Sequence, residues 1–163
     1  MIKRSGFTLV EVLVSLFILS IAITGAFALI AYHLNVADSV KNSAVASGLA
    51  QEGMEVVRNL RDSDWFAGRQ FGSLGGGSVA STYCVQWNST RLISPCTNPL
   101  KKGANGIYSY DGDLAPSIFL RTVTITRIPA TEPVELKVVV TVSWTDRSIP
   151  RSLSAEGHLF NWY

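Results

Sequence analysis

One acidic residue lies inside a long apolar stretch near the N-terminus, and its position predicts a functional role. Residues 7–32 read FTLVEVLVSLFILSIAITGAFALIAY, in which Glu11 is the single charged residue. A carboxylate inside an apolar helix that spans a membrane costs on the order of a few kcal/mol unless it is paired, and such residues usually mark function. We therefore expect Glu11 to have a pairing partner.

Other residues capable of catalysis or metal binding form no recognisable catalytic pattern. His33 and His158 are isolated in the sequence, and we interpret both as structural. Asp111 and Asp113 offer two carboxylates to calcium, but the remaining ligands of a calcium loop are missing, so we expect a solvated turn. The glycine-rich residues 67–77 lack the lysine and the strand-to-helix context of a phosphate loop. We expect no enzyme activity and no cofactor.

The composition limits the chain to one globular domain plus a separate apolar element. It has 163 residues, of which 47% are hydrophobic and 16% charged, and its formal net charge is +2. This charge does not predict a nucleic-acid partner. Four arginines in the second half offer a basic patch for DNA, but exposed charges on strands account for them equally well; they are Arg121, Arg127, Arg147 and Arg151.

The apolar stretch is long enough to cross a bilayer. Its 26 or so residues would form a helix of roughly 39 Å. Lys3 and Arg4 precede it, which favours a cytoplasmic N-terminus and places the bulk of the chain outside. A cleaved secretory signal, cut near Ala28, is an alternative, but its apolar region would normally be only about 7–15 residues long. A plain single-pass anchor explains the length but not Glu11.

Residues 3–11, KRSGFTLVE, resemble the prepilin cleavage and methylation motif of type IV pilins and type II secretion pseudopilins. The resemblance implies that a prepilin peptidase cuts after Gly6 on the cytoplasmic side and N-methylates Phe7. Residues 1–6 would then be a leader peptide, and residues 7–32 would survive as a transmembrane helix that becomes the filament core.

The same resemblance assigns a role to Glu11. In this family the carboxylate is thought to neutralise the new amine, here that of Phe7, on a neighbouring subunit, and Thr8 would assist by hydrogen bonding. An unpaired buried charge is costly, so this pairing would penalise subunits docked at the wrong height. The implied partners are the peptidase, other pilin subunits, an inner-membrane assembly platform, and membrane lipid before assembly.

The helix is predicted to continue beyond the apolar stretch. Residues 33–64 show an imperfect amphipathic pattern and no strong turn signal separates them from the apolar stretch. We therefore expect one helix from about residue 8 to about residue 61, with its end near residues 62–64. Gly25, Gly48 and Gly53 each cost roughly 1 kcal/mol relative to alanine, and any of them offers a flexible point. For Gly25 the alternative is close helix packing in the membrane.

Residues 65–163 are predicted to form an antiparallel sheet, which gives an α+β, pilin-like fold. In the strand at residues 119–128, Val123 and Ile125 should face the helix, while the alternating threonines Thr122, Thr124 and Thr126 face outward. Residues 88–117 read as an extended surface loop, and residues 161–163 as a cover for the sheet edge. The other strands are predicted at residues 79–87, 135–145 and 152–160.

Cys84 and Cys96 are the two cysteines of the chain. In a domain carried outside the cytoplasm, cysteines this close favour a disulfide over a metal site or redox pair. Such a bridge would stabilise the fold by roughly 3 kcal/mol and pin the surface loop to its strand. Many pilin relatives have a disulfide near the C-terminus instead.

These features together predict a structural subunit of a type IV pilus or pilus-like filament. It would be stored in the inner membrane with a cytoplasmic N-terminus, then moved to an extracellular pilus. Residues 49–62, LAQEGMEVVRNLRD, resemble a segment of minor prepilins. One alternative is a type II secretion pseudopilin in a periplasmic pseudopilus; another is a membrane-anchored binding or enzymatic domain that never polymerises.

Overall fold

The computed structural model describes residue 6 and residues 8–74, 80–112 and 115–161. Within these ranges one long helix packs on a four-stranded antiparallel sheet, which confirms the α+β, pilin-like fold. Phe7, Asp113, the residues before Gly6, and the residues after Asn161 lie outside the described ranges. The elements are α1 (Leu9–Phe66), β1 (Ala80–Tyr83), β2 (Lys101–Lys102), β3 (Tyr108–Ser109), β4 (Leu120–Ile128), β5 (Glu135–Asp146) and β6 (Ile149–Phe160).

The chain divides into two compact units, Met1–Lys41 and Asn42–Tyr163. In the first unit, α1 contains a segment long and apolar enough to cross a membrane, and none of that segment is buried within the protein. In the second unit, α1 buries one apolar face against the sheet. The buried helix residues are Ala46, Leu49, Ala50, Gly53, Met54, Val56, Val57 and Leu60.

The helix ends at Phe66, five residues beyond the predicted end near residue 61. The reason is Gly68, which adopts a left-handed conformation with φ of 68°. Its N–H donates to the carbonyl of Trp65 at 2.9 Å, and the N–H of Arg69 donates to the carbonyl of Asp64 at 2.9 Å. This pair of bonds is a Schellman motif, which glycine favours because it lacks a Cβ.

The main sheet has the strand order β1-β4-β5-β6, and all its strand pairs are antiparallel. The last three strands, β4, β5 and β6, pair in chain order as an antiparallel meander. A two-residue turn joins β5 to β6, with positive φ at Arg147 and Ser148, as expected of a hairpin turn that matches the strand twist. Strand β1 is shorter than predicted, and β2 pairs with β3 in a separate small hairpin.

The predicted alternation along β4 is confirmed. Val123 and Ile125 are buried, and Thr122, Thr124 and Thr126, which alternate with them, are partly exposed. The segment predicted as an extended surface loop also contributes to the core, because Leu100 is fully buried and its N–H donates to the carbonyl of Phe119 at 2.8 Å. That contact folds the segment back onto the start of β4.

Two helix glycines provide a matched test of how closely α1 approaches the sheet. A Cβ on Gly53 would lie 2.9 Å from Val140 Cγ1 and 3.1 Å from Arg121 Cδ, whereas a Cβ on Gly48 meets nothing within 4 Å. We expect Gly53→Ala to lower the free energy of unfolding by about 1–2 kcal/mol because it overpacks the interface. Gly48→Ala should raise it by about 0.5–1 kcal/mol. Chemical denaturation of the full chain in detergent measures both; equal effects of the two substitutions would contradict this packing.

Candidate functional site

The first turn of α1 carries Glu11, and Thr8 fixes the geometry of that turn. The Thr8 hydroxyl accepts a hydrogen bond from the backbone N–H of Glu11 at 3.3 Å, and the Thr8 carbonyl accepts one from the N–H of Val12 at 3.2 Å. Thr8 is therefore the N-cap, and the spacing of threonine and glutamate matches a capping box. Thr8 thus orients the helix start from which the Glu11 side chain extends.

Glu11 is exposed, and it forms no salt bridge with any residue in the described ranges. Its predicted partner, the amine of Phe7 on a neighbouring subunit, involves a residue outside those ranges. The pairing therefore stays a prediction.

The apolar side chains around Glu11 are also exposed. Leu9 is 76% and Phe17 67% exposed, and the large apolar side chains of α1 up to Val40 are at least 40% exposed. Serine and threonine hydroxyls in this segment donate to carbonyls one turn earlier, for example Ser15 to Glu11 at 2.7 Å. An apolar surface this long needs lipid or other protein around it.

Residues 1–27 match the family model of the prokaryotic N-terminal methylation motif. This match supports a prepilin of the type IV pilin or pseudopilin type. The matched range contains Gly6, Thr8 and Glu11, which the sequence predicted for cleavage and assembly. No curated protein and no solved structure matched the chain. The apolar helix and the motif together fit a prepilin anchored in a membrane.

The globular unit has a buried charge at its centre, Arg121 on β4, which is 0% exposed. Its Nη1 donates to the carbonyl of Leu49 at 3.0 Å and to Glu52 Oε1 at 2.8 Å. Its Nε and Nη2 donate to the carbonyl of Val85 at 3.2 and 2.6 Å. The guanidinium thus joins α1, β4 and the segment after β1.

The interpretation of Arg121 as an exposed strand charge, and as part of a basic patch, was therefore wrong. Arg121 shares the inner face of β4 with Val123 and Ile125, because it stands two residues before Val123. The alternation along the strand was the signal that places it inside. Burial is tolerable because each guanidinium nitrogen donates at least one hydrogen bond and Glu52 supplies a carboxylate.

The predicted disulfide joins Cys84 to Cys96, with their Cα atoms 5.1 Å apart. It lies beside the backbone of Arg121, whose carbonyl oxygen is 3.2 Å from Cys96 Sγ. The same oxygen accepts a hydrogen bond from the Tyr110 hydroxyl at 3.1 Å. Burial raises the pKa of Tyr110, against the opposing effect of the Arg121 charge. The bridge and the arginine therefore belong to one packed centre.

The weak calcium candidates are not brought into a metal site by the described residues. Asp111 accepts a hydrogen bond from Gln86 Nε2, and Gln86 Oε1 accepts one from the N–H of Tyr110 at 2.6 Å. Asp113 lies outside the described ranges. Within those ranges, no group of three or more histidine, cysteine or acidic side chains is placed to hold a metal ion. Asp111 instead holds a loop in position.

The two histidines occupy different environments. The ring of His33 packs edge-on against Tyr32, with centroids 5.9 Å apart. His158, on β6, contacts Glu135 through Nδ1 and Glu156 through Nε2, the second at 3.2 Å. Hydrogen bonding to Glu135, and then to Glu156, raises the pKa of His158 above its usual 6.5.

This histidine predicts a pH dependence of stability. Because the folded-state pKa is raised, the stabilising contribution is complete below pH 6.5 and is lost as the pH rises through the folded value. We expect the melting temperature of the wild type to fall over this window more than that of His158→Gln. Thermal melts of the two proteins from about pH 5 to about pH 8 test this. Parallel curves would show that His158 contributes nothing to the pH dependence.

Proposed function

We propose that this prepilin is a structural subunit of a type IV pilus or pilus-like filament, assembled through the apolar part of α1. The observation that carries the proposal is the exposed apolar surface of α1, which has Glu11 in its first turn and no further charged residue before Asp38. Lipid suits this surface before assembly. Once the subunit leaves the membrane, the helices of neighbouring subunits must cover it instead.

Glu11 gives such a bundle a defined register. A carboxylate inside an apolar bundle is stable when it meets a cation, and the amine of a processed neighbour supplies one. Packing between apolar helices alone tolerates many relative heights. A single charge pair therefore distinguishes the correct height from the others.

The proposed location is the inner membrane, and the proposed class is a minor subunit. Prepilin peptidase would process the chain at the inner membrane, with the N-terminus cytoplasmic because Lys3 and Arg4 precede the apolar stretch. An inner-membrane assembly platform would then insert it into the filament. The likeness of residues 49–62 to minor prepilins supports a subunit that initiates or decorates fibres rather than their main component.

The test is mass spectrometry of the intact protein and its N-terminal peptide, from the native host with and without the leader peptidase. We expect a chain that begins at N-methylated Phe7 in the wild type and at Met1 without the peptidase. A wild-type chain that still begins at Met1, or is cut near Ala28, would overturn the proposal in favour of an ordinary anchored or secreted protein.

A pair of glycine variants shows whether Gly6 is the processing determinant. Neither Gly6 nor Gly25 has anything within 4 Å of an added Cβ, so neither substitution disturbs the fold by a clash. We expect Gly6→Val to leave the leader attached, because a branched side chain hinders access to the peptide bond, and Gly25→Val to be processed normally. The same N-terminal mass spectrometry distinguishes them. Normal processing of the Gly6→Val variant would show that the peptidase does not cut after Gly6.

Deletion of the gene separates a pilus from the alternative pseudopilus. Loss of twitching or DNA uptake would support the pilus subunit, while loss of protein export with these functions intact would support a type II secretion pseudopilin. If neither changes and the processed protein never enters a filament, the chain is a membrane-anchored domain of another kind.

A further inference from the structure

Strand β6 forms one edge of the main sheet, so its backbone is paired on one side only. The N–H of Asn161 donates to the carbonyl of Val134 at 2.9 Å, and the antiparallel register continues from there to the β5–β6 turn without a bulge. Hydrogen-bonded pairs alternate along such a register. The odd-numbered residues of β6 therefore bond to β5, and the even-numbered ones direct their N–H and C=O groups away from the sheet.

The even-numbered residues in the middle of β6 are defined as the β6 edge: Ser152, Ser154, Glu156 and His158. The edge is bounded by Pro150, which has no N–H, and by Phe160, whose carbonyl accepts a hydrogen bond from Arg61 Nη1 at 3.3 Å. Between these limits, nothing in the described part of the chain hydrogen-bonds to the outward backbone groups.

The β6 edge is accessible to a second chain. A cleft of about 530 Å³ lies between it and residues 48–58 of α1. The charged side chains of the edge lie on the outer face of the sheet, where Glu156 pairs with Lys137 at 2.9 Å and His158 contacts Glu135. These charges therefore do not block the backbone groups. A long edge strand without a bulge or another block readily pairs with a strand of another chain.

The opposite edge of the sheet, β1, offers a short set of matching groups. The same alternation, counted across β5 and β4, makes Ala80 and Thr82 the outward-directed residues of β1. The next outward residue, Cys84, exchanges backbone hydrogen bonds with Ile93 at 2.8 and 3.1 Å, so a neighbouring segment covers the chain beyond that point. Neither Ala80 nor Thr82 is charged, and no like charges would oppose their approach to the β6 edge.

The directions of the two edges suit copies of one polarity. Strand β1 is antiparallel to β4, β4 to β5, and β5 to β6, so β1 and β6 run in opposite directions within one sheet. Subunits assembled in one filament share one polarity. When two such copies lie side by side, β1 of one is antiparallel to β6 of the other. Antiparallel pairing of β6 with a second β6 would require one copy to be inverted.

We propose that the β6 edge pairs with β1 of a second copy of this chain, which joins the two sheets into one continuous antiparallel sheet. The inference rests on the proposed filament function, because a filament holds copies of one polarity side by side. Copies at equal height would place Thr82 beside Glu156 and Ala80 beside His158, as the strand rows of one sheet do. A stagger of two residues keeps the pattern, because the outward groups repeat every two residues.

Cysteine cross-linking in the native host tests the contact. One tagged copy carries Ala80→Cys, and a second copy with a different tag carries a cysteine at each position of the β6 edge in turn, for example Ser154→Cys. Directly opposite residues of such a pair have Cα atoms about 5.5 Å apart, which suits a disulfide. We expect mixed dimers in sheared surface fractions at one position or at two neighbouring ones.

Thr141→Cys is the matched control for these cross-links. Thr141 lies one strand further into the sheet, directly beside Ser154. A neighbouring strand adds about 4.7–4.9 Å, which puts a cysteine there out of reach, and its mixed dimer should be at least about tenfold weaker.

Two results would overturn the edge contact. One is mixed dimers no stronger than those of the control, and the other is strong dimers from a β6-edge cysteine expressed alone, which would show β6 against β6. The wild type is followed in the same sheared fractions. Its absence there would contradict the filament function and the contact with it, whereas its presence without mixed dimers would contradict the contact alone.

A proline in the β6 edge gives a second readout. Ser154→Pro removes an outward N–H and no bond to β5, a position at which edge strands accept proline. Ser154→Ala is the control, because both variants lose the hydroxyl contact with Thr141 but alanine keeps the N–H. We expect Ser154→Pro to lower filament incorporation roughly tenfold, through one lost hydrogen bond and the added ring, and Ser154→Ala to match the wild type.

Thermal melts in detergent check that both Ser154 variants fold. We expect similar melting temperatures for the two, since neither loses a backbone bond of the sheet. Equal incorporation of Ser154→Pro and Ser154→Ala into filaments would overturn the proposal. If the proline variant melted much lower, the cross-links, which use no proline, would decide.

Discussion

Glu11→Ala is expected to abolish incorporation of the protein into filaments while leaving its processing intact. The carboxylate is five residues after Gly6, so the peptide bond that the peptidase attacks is unchanged. Assembly, however, would bury the amine of a processed neighbour without its partner. Removing one member of a buried pair typically costs about 3–5 kcal/mol because the other charge stays uncompensated, and this cost recurs at each subunit contact.

The measurement is an immunoblot of sheared surface fractions and of membranes, with N-terminal mass spectrometry of the membrane pool. Glu11→Gln keeps the shape of the side chain but not its charge, and should fail in the same way. Glu55→Ala is the matched control, since Glu55 is an exposed glutamate of the same helix that pairs with Arg58 at 3.6 Å. Wild-type amounts of Glu11→Ala in the sheared fraction would show that the charge is dispensable.

The elements with a clear hydrophobic period were predictable from the sequence. The apolar stretch and the amphipathic pattern after it predicted one long helix, and α1 runs from Leu9 to Phe66. Alternating β-branched residues predicted β4 and β5 to within about two residues, because a strand buried on one side repeats with a period of two. The hydrophobic periodicity of the local sequence is almost sufficient to predict these elements.

The end of α1 was less predictable because two signals compete there. Aspartate and serine are weak helix formers, and residues 62–64 suggested a stop. Gly68, four residues later, supplies the left-handed residue that actually terminates the helix. Asp64 is retained within the helix because its side chain accepts hydrogen bonds from Arg69 and Ser73.

The sequence predicts the burial of Arg121 but not its hydrogen-bond partners. Alternation places Arg121 on the inner face of β4, but its partners are 36 to 72 residues away along the chain. Two of the three acceptors are backbone carbonyls, those of Leu49 and Val85, which any residue type provides. Gly53 leaves the space that lets the arginine approach the helix. Only the packed fold brings these groups together.

For the N-terminal site, the sequence identifies the residues, and the fold of one chain adds little. Its motif is contiguous, so the sequence alone indicated Gly6, Phe7, Thr8 and Glu11. Within the described residues, one chain provides the N-cap bond from Thr8 but no cation for the carboxylate. Under the proposed assembly a second subunit would supply that cation, so the motif indicates the site although one chain does not contain all of its groups.

Arg121→Met should be the most destabilising single substitution in the globular unit among those considered, with a loss of about 3 kcal/mol in the free energy of unfolding. Methionine fills similar space but leaves the carbonyl of Val85, in a residue 0% exposed, without its donor. An unsatisfied buried acceptor costs about 1–3 kcal/mol. Glu52, whose side chain is 34% exposed, can recover water, which limits the total.

Arg121→Lys should recover little of the lost stability. One ammonium cannot reproduce the fork with which the guanidinium binds Val85 on one side and Leu49 and Glu52 on the other. Arg151→Met is the control, because Arg151 is exposed on β6 and such changes usually stay within about 0.5 kcal/mol. Urea denaturation of the full chain in detergent gives the comparison.

The three variants separate charge, hydrogen-bond geometry and packing. If Arg121→Lys were nearly as stable as the wild type, the positive charge near Glu52 would be what matters and the paired bonds to Val85 would not. If Arg121→Met matched Arg151→Met, the buried arginine would contribute nothing beyond its volume. A large loss in both Arg121 variants, with Arg151→Met unchanged, means that the fork of hydrogen bonds holds α1 against the sheet.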